Sequence, residues 1–305
     1  VASFTPTQPA LSWCIVGRGA IGLLASSRLQ LAGYSPRLWL KQPEDIELLF
    51  TDLQQHRQQL LLPSQPCSEP ISQLLIPVKA YDICQAVSQL LPYLTDTAQL
   101  VLCHNGMIAL ESILKQLVPG QGLWFLSTSQ AAYKPAVDQV VHSGAGNSYL
   151  AKLTAPGEQD PGIIEAMSAA LGPLTVVADI NPLLWQKLAI NAAINPLTAL
   201  ENCPNGQLAQ RRYQAQITAL VNEVCQVASA LGYPLDSNAT IARVLQVIDA
   251  TARNYSSMQQ DVQAGRPTEI EAICGYICRQ AAQLQIAVPA NLHMLNQIRV
   301  LTAKR

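Results

Sequence analysis

Short apolar runs rich in β-branched and aromatic residues alternate with amphipathic stretches over the first part of the chain. This is the rhythm of strands and helices in a parallel sheet covered by helices. It predicts strands at residues 11–16, 35–40, 74–77, 100–103, 123–128, 137–143 and 148–153, with helices at 19–32, 46–53, 81–91 and 108–118 between them. After Asp179 the texture changes. Residues 183–200, 213–231, 237–254, 268–284 and 290–302 all read at helical period, with no obvious strand. The pattern therefore predicts an α/β fold: a parallel sheet covered by helices over residues 1–178, followed by an all-α domain over 179–305. Pro182 suits the start of the first long helix, where a missing N–H costs nothing.

A length of 305 residues already makes two domains the default. A formal net charge of -1 with 13% charged residues gives no cationic surplus for a phosphate backbone or an anionic bilayer. Apolar runs fall short of the ~18 residues of a membrane span, so neither nucleic acid nor membrane is expected as a partner. Residues 1–9 lack the basic and apolar regions of a secretory signal and read as a loosely held extension. The eight cysteines lie mostly inside apolar runs, as free thiols of a reducing cytoplasm would. Cys274 and Cys278 share a helical face, but no second pair stands at ligand spacing nearby, so no metal site is expected.

The candidate chemistry begins after the first strand, at Gly17-Arg18-Gly19-Ala20-Ile21-Gly22. The first glycine permits a tight turn, the second admits a pyrophosphate to the backbone, and the third lets helix and strand pack closely. Unpaired N–H groups at the following helix start favour the negative charge, so residues 1–178 read as a Rossmann-type dinucleotide-binding domain. An NAD-specific site would place Asp or Glu at the end of the second strand to bond the ribose 2′-OH. Here Leu38-Trp39-Leu40-Lys41 stands instead, and Lys41 attracts a 2′-phosphate, so NADP(H) is the expected cofactor. Glu44 and Asp45 follow closely and argue in the other direction.

Lys187, Asn191 and Asn195 are spaced four apart, with Leu, Ile and Ala between them. On a helix each is displaced only ~40° from the last, so all three project toward one side. An ammonium and two amides buried without partners would cost several kcal/mol, so something polar must lie opposite. A lysine in an apolar cleft has its charged form disfavoured, which suits proton transfer, and it polarises a carbonyl oxygen on which charge grows. Both roles fit reduction of a ketone. Thr268 and Glu271 have capping-box spacing, which would put Glu269 in the first turn of a helix, and Ser257 reads as a turn or cap residue.

With these residues in place, the chain resembles the ketopantoate reductases (2-dehydropantoate 2-reductases) from Trp13 to about Leu301. The resemblance rests on the glycine motif, Val78-Lys79-Ala80, His104-Asn105-Gly106-Met107 and the stretch from Lys187 to Leu200. It continues through Asn202-Cys203-Pro204-Asn205-Gly206, Ser256-Ser257-Met258-Gln259-Gln260-Asp261 and Thr268-Glu269-Ile270. It implies that Gly17 to Gly22 hold the pyrophosphate, Lys41 the 2′-phosphate, and Lys79, Asn105 and Ala132 the nicotinamide ribose region. Lys187 would be the general acid as NADPH delivers hydride to C2 of the keto acid. Asn105, Asn191, Asn195, Asn205, Ser257 and Thr128 would bind the substrate, and Glu269 would contact the cofactor and orient the reacting oxygen. Arg18 departs from the small residue usual between the first two glycines, and Lys41 stands where the family commonly has Arg. A monomer or homodimer is expected. A related 2-keto acid or β-hydroxyacid reductase, and a non-catalytic NADPH-binding sensor, stay open as alternatives.

Overall fold

The computed structural model describes residues 11–66, 68–155 and 160–303; the extension at 1–9 and Cys67 lie outside them. The chain divides into two compact units. One comprises the residues up to His104 with Leu110–Ile180, the other Asn105–Ala109 with the residues from Asn181 onward.

The first unit begins with β1 (Ser12–Val16), α1 (Ala20–Leu31), β2 (Ser35–Trp39), β3 (Ile46–Thr51), β4 (Arg57–Leu62) and β5 (Ile71–Ile76). It continues through α2 (Ile83–Leu90), β6 (Leu94–Leu102), α3 (Glu111–Leu114), β7 (Gly122–Thr128), β8 (Ala131–Tyr133) and β9 (Gln139–Gly144). It closes with β10 (Ser148–Lys152), α4 (Pro161–Leu171) and β11 (Leu174–Val176). A seven-stranded sheet runs in the order β11-β10-β7-β6-β5-β1-β2. Its five strands from β7 to β2 are parallel, and β10 and β11 run against them. From β1 the chain steps outward to β2 and later returns to β5 on the other side, so strand order reverses at β1. Ligands of open α/β sheets bind at the carboxyl ends of the strands beside such a reversal.

One core joins α1 and α4 to both sheets, with Leu23, Leu24, Leu48, Val101 and Leu126 fully buried. Each such side chain contributes roughly 1.5–3 kcal/mol.

Residues 46–53, expected to be helical, form β3 instead. Ile46, Leu48 and Phe50 are buried while Glu47 points out, a two-residue period that matches a strand half-covered by a core. Short apolar runs do not separate helix from strand by periodicity, and here pairing to β4 and β9 decided the outcome. These strands and β8 make a second sheet, β4-β3-β9-β8. Its polar edge strand β4 and three-residue β8 gave no sequence signal. The helix expected at 108–118 shrinks to the single turn of α3, in which only Ile113 is buried, so no apolar face exists to hold more. Helix α4 was not anticipated, although Asp160 caps it by accepting from the Gly162 and Ile163 N–H groups, and Pro161 sits in its first turn.

The second unit is helical: α5 (Asn181–Glu201), α6 (Arg211–Ala230), α7 (Ser237–Ala250), α8 (Ser257–Gln263), α9 (Cys274–Gln283) and α10 (Pro289–Ala303). Helix α5 packs against α6, α7, α8 and α10, which is why it is apolar on nearly every side. The buried Glu223 carboxylate on α6 accepts from the Ala290 and Asn291 N–H groups at 2.7 and 2.8 Å, satisfying first-turn donors of α10.

Two expectations about helix starts are corrected. Helix α9 begins at Cys274, not at 268. Glu271 does not reach back to Thr268, because its exposed carboxylate takes both Nε and Nη2 of Arg299 from α10, at 2.7 and 3.0 Å. Glu269 therefore lies in the turn before α9, and it is buried. The residue that caps α8 is Ser256, whose Oγ accepts from the Gln259 N–H, and Ser257 is the helix's first, exposed residue. No helix among the described residues is long and apolar enough to cross a membrane.

Candidate active site

In the first unit, the glycine loop turns from β1 into α1 as its spacing requires. Gly17 has φ +79°, a left-handed conformation costly for other residues, and its N–H donates to the Trp39 carbonyl at 2.8 Å, tying the loop to the end of β2. A Cβ on Gly22 would lie 3.1 Å from Cγ of Pro77 and 3.5 Å from Cγ2 of Ile15, so the third glycine lets α1 approach β1 and the segment after β5. Gly19 forms the N-cap of α1 and offers no side-chain oxygen to its first-turn N–H groups. The Ala20 and Ile21 N–H groups thus face outward from a helix start, a ready cradle for a phosphate. A dinucleotide fits these residues.

Around the end of β2 stand several charges. Lys41 is exposed, two residues past the strand. The Arg18 guanidinium pairs with the Glu44 carboxylate at 2.5 Å, both side chains being about half exposed. The Asp45 carboxylate accepts the Ser64 N–H at 2.8 Å. Both acidic residues that argued against NADP(H) are therefore engaged within the protein. Lys79 is half-buried, just past β5, with its carbonyl accepting the Asp82 N–H. Thr128 ends β7, where its Oγ1 accepts from the Gln130 N–H and the Ser148 hydroxyl. Ala132 lies on β8, partly buried against the core.

In the second unit, Lys187, Asn191 and Asn195 occupy successive turns of α5. Lys187 and Asn191 are half-buried and Asn195 is buried. Pro196 lacks the N–H that would meet the Ala192 carbonyl, which frees that oxygen from the helix ladder next to Asn195. Asn205 opens a 3-10 turn, Asn205–Ala209, packed on α5 and α7. Its Nδ2 donates to Thr251 Oγ1 at 2.9 Å, while its Oδ1 is buried with no hydrogen-bond partner. Buried amide oxygens are normally satisfied, and among the described residues those of Gln30, Gln73, Gln259 and Asn291 share this state with Asn205. Ser257 starts α8, which also packs on α5. Near the other end, the Trp185 ring lies 5.9 Å from that of Tyr276 on α9. The Glu269 carboxylate accepts from Asn105 Nδ2 at 3.5 Å. Asn105 belongs to the five-residue stretch Asn105–Ala109 that groups with this unit, anchored by the Met107 N–H on the Ala272 carbonyl at 2.8 Å.

Sequence reasoning missed some participants. Lys134 Nζ donates to the Arg18 carbonyl at 3.1 Å, with its pKa lowered by burial and by the nearby guanidinium. Thr251 holds Asn205, and a chain from the Gln259 N–H through Ser256 Oγ to Thr198 Oγ1 fastens α8 to α5. Only Ser256, three residues before Gln259, stands at a local spacing that signals a helix start. Among the described cysteines, Cys84 alone is exposed, and burial raises the pKa of Cys278 to about 11.

Residues 13–155 match the family model described as Ketopantoate reductase PanE/ApbA, and residues 179–302 match Ketopantoate reductase PanE/ApbA C terminal. The 2-dehydropantoate 2-reductase of Vibrio cholerae is 38% identical over 289 residues, covering 94% of this chain and 96% of that protein. A PanE/ApbA family ketopantoate reductase from Ralstonia eutropha superposes with a TM-score of 0.86 at 24% identity, covering 96% of this chain and 99% of that one. D-mandelate dehydrogenase in a ternary structure with NADH and anilino(oxo)acetate gives the same TM-score at 21% identity, again over 96% and 99%. These structural likenesses establish the fold. With both family models matched in order and close sequence relatives spanning almost the whole chain, this protein is a member of the ketopantoate reductase family of oxidoreductases.

Proposed function

We propose that the protein catalyses NADPH-dependent reduction of ketopantoate to (R)-pantoate, a cytoplasmic step of pantothenate and coenzyme A biosynthesis. The observation that carries this reading is the polar row Lys187, Asn191 and Asn195 on a helix otherwise enclosed by apolar packing. NADPH supplies the hydride that goes to C2 of the keto acid. The Gly17 to Gly22 loop and the start of α1 hold its pyrophosphate, Lys41 its 2′-phosphate, and Lys79, Asn105 and Ala132 its nicotinamide ribose region.

The residues of the helical unit handle the substrate. Lys187, as an ammonium, polarises the ketone oxygen and gives it a proton as negative charge grows there. Asn191, Asn195, Asn205 and Ser257, with Thr128, bind the carboxylate and hydroxyl of ketopantoate. Glu269, held by the Asn105 amide, orients the reacting oxygen. The preference for NADPH is supported by exposed Lys41 just past β2 and by Asp45, whose carboxylate is taken by the Ser64 N–H.

The test is steady-state kinetics with NADPH and four acceptors: ketopantoate, pyruvate, 2-ketoisovalerate and acetolactate. The highest kcat/KM is expected for ketopantoate. A higher value for any other acceptor would overturn the substrate, and absence of turnover with all four would leave only a nucleotide-binding protein.

A further inference from the structure

The sequence departs from the usual glycine loop at Arg18, and the structure gives that departure a setting. The Gly17 N–H bond to the Trp39 carbonyl brings the loop against the end of β2, so the Arg18 side chain shares its surroundings with the segment that follows the strand. There its guanidinium meets the Glu44 carboxylate. Glu44 is held in place from the next residue, because Asp45 is fastened to the Ser64 N–H at 2.8 Å. From the other side, Lys134 Nζ donates to the carbonyl of Arg18 itself. We propose that Arg18 is a specificity-determining residue that recognises the 2′-phosphate of the dinucleotide, and that Glu44 is the counter-ion it exchanges for that phosphate. This inference rests on the NADP(H) reading above.

The exchange follows from charge and geometry. With both side chains about half exposed, the Arg18–Glu44 pair is a solvated ion pair that binds its members weakly. A phosphate monoester carries close to two negative charges and presents several oxygens to the two-pronged guanidinium, so it competes well for Arg18. A 2′-hydroxyl cannot. It donates instead to a carboxylate, and Glu44 is the carboxylate on hand. One pair thus works in opposite directions. Arg18 rewards the phosphorylated ribose, and Glu44 favours the unphosphorylated one while restraining Arg18. Lys41 supplies a point charge at the end of β2, and Arg18 supplies the planar fork that Lys41 lacks.

The experiment titrates wild type, Arg18→Ala, Arg18→Lys and Glu44→Gln with adenosine 2′,5′-bisphosphate and adenosine 5′-monophosphate by calorimetry, alongside NADPH and NADH. Removing charge-assisted hydrogen bonds should weaken the bisphosphate about tenfold in Arg18→Ala, with the monophosphate nearly unchanged and Arg18→Lys intermediate. Glu44→Gln should strengthen the bisphosphate severalfold without strengthening the monophosphate. Equal weakening of both nucleotides in Arg18→Ala would instead assign Arg18 to the 5′-phosphates, and no change in either would reduce the ion pair to surface decoration; each overturns the proposal. No gain of bisphosphate affinity in Glu44→Gln overturns the counter-ion role. The wild-type ratio of NADPH to NADH affinity tests the NADP(H) reading separately, since the inference is judged on how the variants change the bisphosphate to monophosphate ratio. Thermal unfolding of each variant, expected to match wild type for these exposed side chains, shows whether a loss comes from folding.

Discussion

The loop after β1 and the polar row on α5 are made of different material. The loop works by leaving side chains out: Gly17 for a backbone angle, Gly19 for unoccupied first-turn N–H groups, Gly22 for a helix that must lie close to Pro77 and Ile15. Backbone N–H groups serve any phosphate, so such a site holds a shared part of many cofactors and says little about the reaction. The row on α5 works by placing side chains where almost everything else is apolar. Its lysine and amides have a specific size and direction, so under the proposed function changing one should alter the chemistry rather than the fold. The comparison teaches that the backbone-built region should admit the phosphates of a cofactor, whereas the side-chain-built region should fix what is reduced.

The sharpest way to break this division is Lys187→Ala. Loss of a positioned general acid lowers rates by about 10²–10⁴-fold, so kcat should fall within that range while the Kd for NADPH, from fluorescence titration, stays close to wild type. Comparable loss of NADPH affinity would show that the lysine belongs to the cofactor site. Next comes Asn205→Ala, which removes both the unsatisfied oxygen and the bond to Thr251. A raised KM for ketopantoate is expected, about tenfold or more, with the KM for NADPH unaffected; if both rise together, Asn205 supports the unit rather than the substrate. The smallest effect tests the loop. Gly22→Val forces methyl groups into the gap beside Pro77, and overpacking of this kind costs about 1–3 kcal/mol. Thermal unfolding should shift down and NADPH binding weaken, with no change in the ranking of keto acids.

How much of this could be read from residues alone differs between the same regions. The glycine loop was legible because its constraints are local: each glycine answers to a neighbour a few residues away, and the following helix starts where the spacing says. The row at Lys187, Asn191 and Asn195 was legible because helical period is also local. Glu269 and Ser257 were misread in their settings. Thr268 and Glu271 have the spacing of a capping box, yet Arg299 from a distant helix claims the Glu271 carboxylate, and α9 starts at Cys274. Ser256 and Ser257 are adjacent and alike in sequence, and only the packing of Thr198 against Ser256 selects which of them is buried and caps α8. The strand at Ile46–Thr51 was read as helix because six apolar-rich residues do not reveal which neighbours they will pair with.

By itself, then, the order of residues determined the pattern of strands and helices around the nucleotide loop, the helical texture after Asp179, and the chemistry offered by Lys187 and its two asparagines. Tertiary structure decided the second sheet, the direction of β10 and β11, the partners that occupy Glu44, Asp45 and Glu271, and the burial that leaves Asn205 Oδ1 unsatisfied. The physical reason is range. Backbone angles and helical faces are set within a turn or two of the chain, whereas a carboxylate's charge partner and an amide's burial depend on groups that folding brings in from far along the sequence.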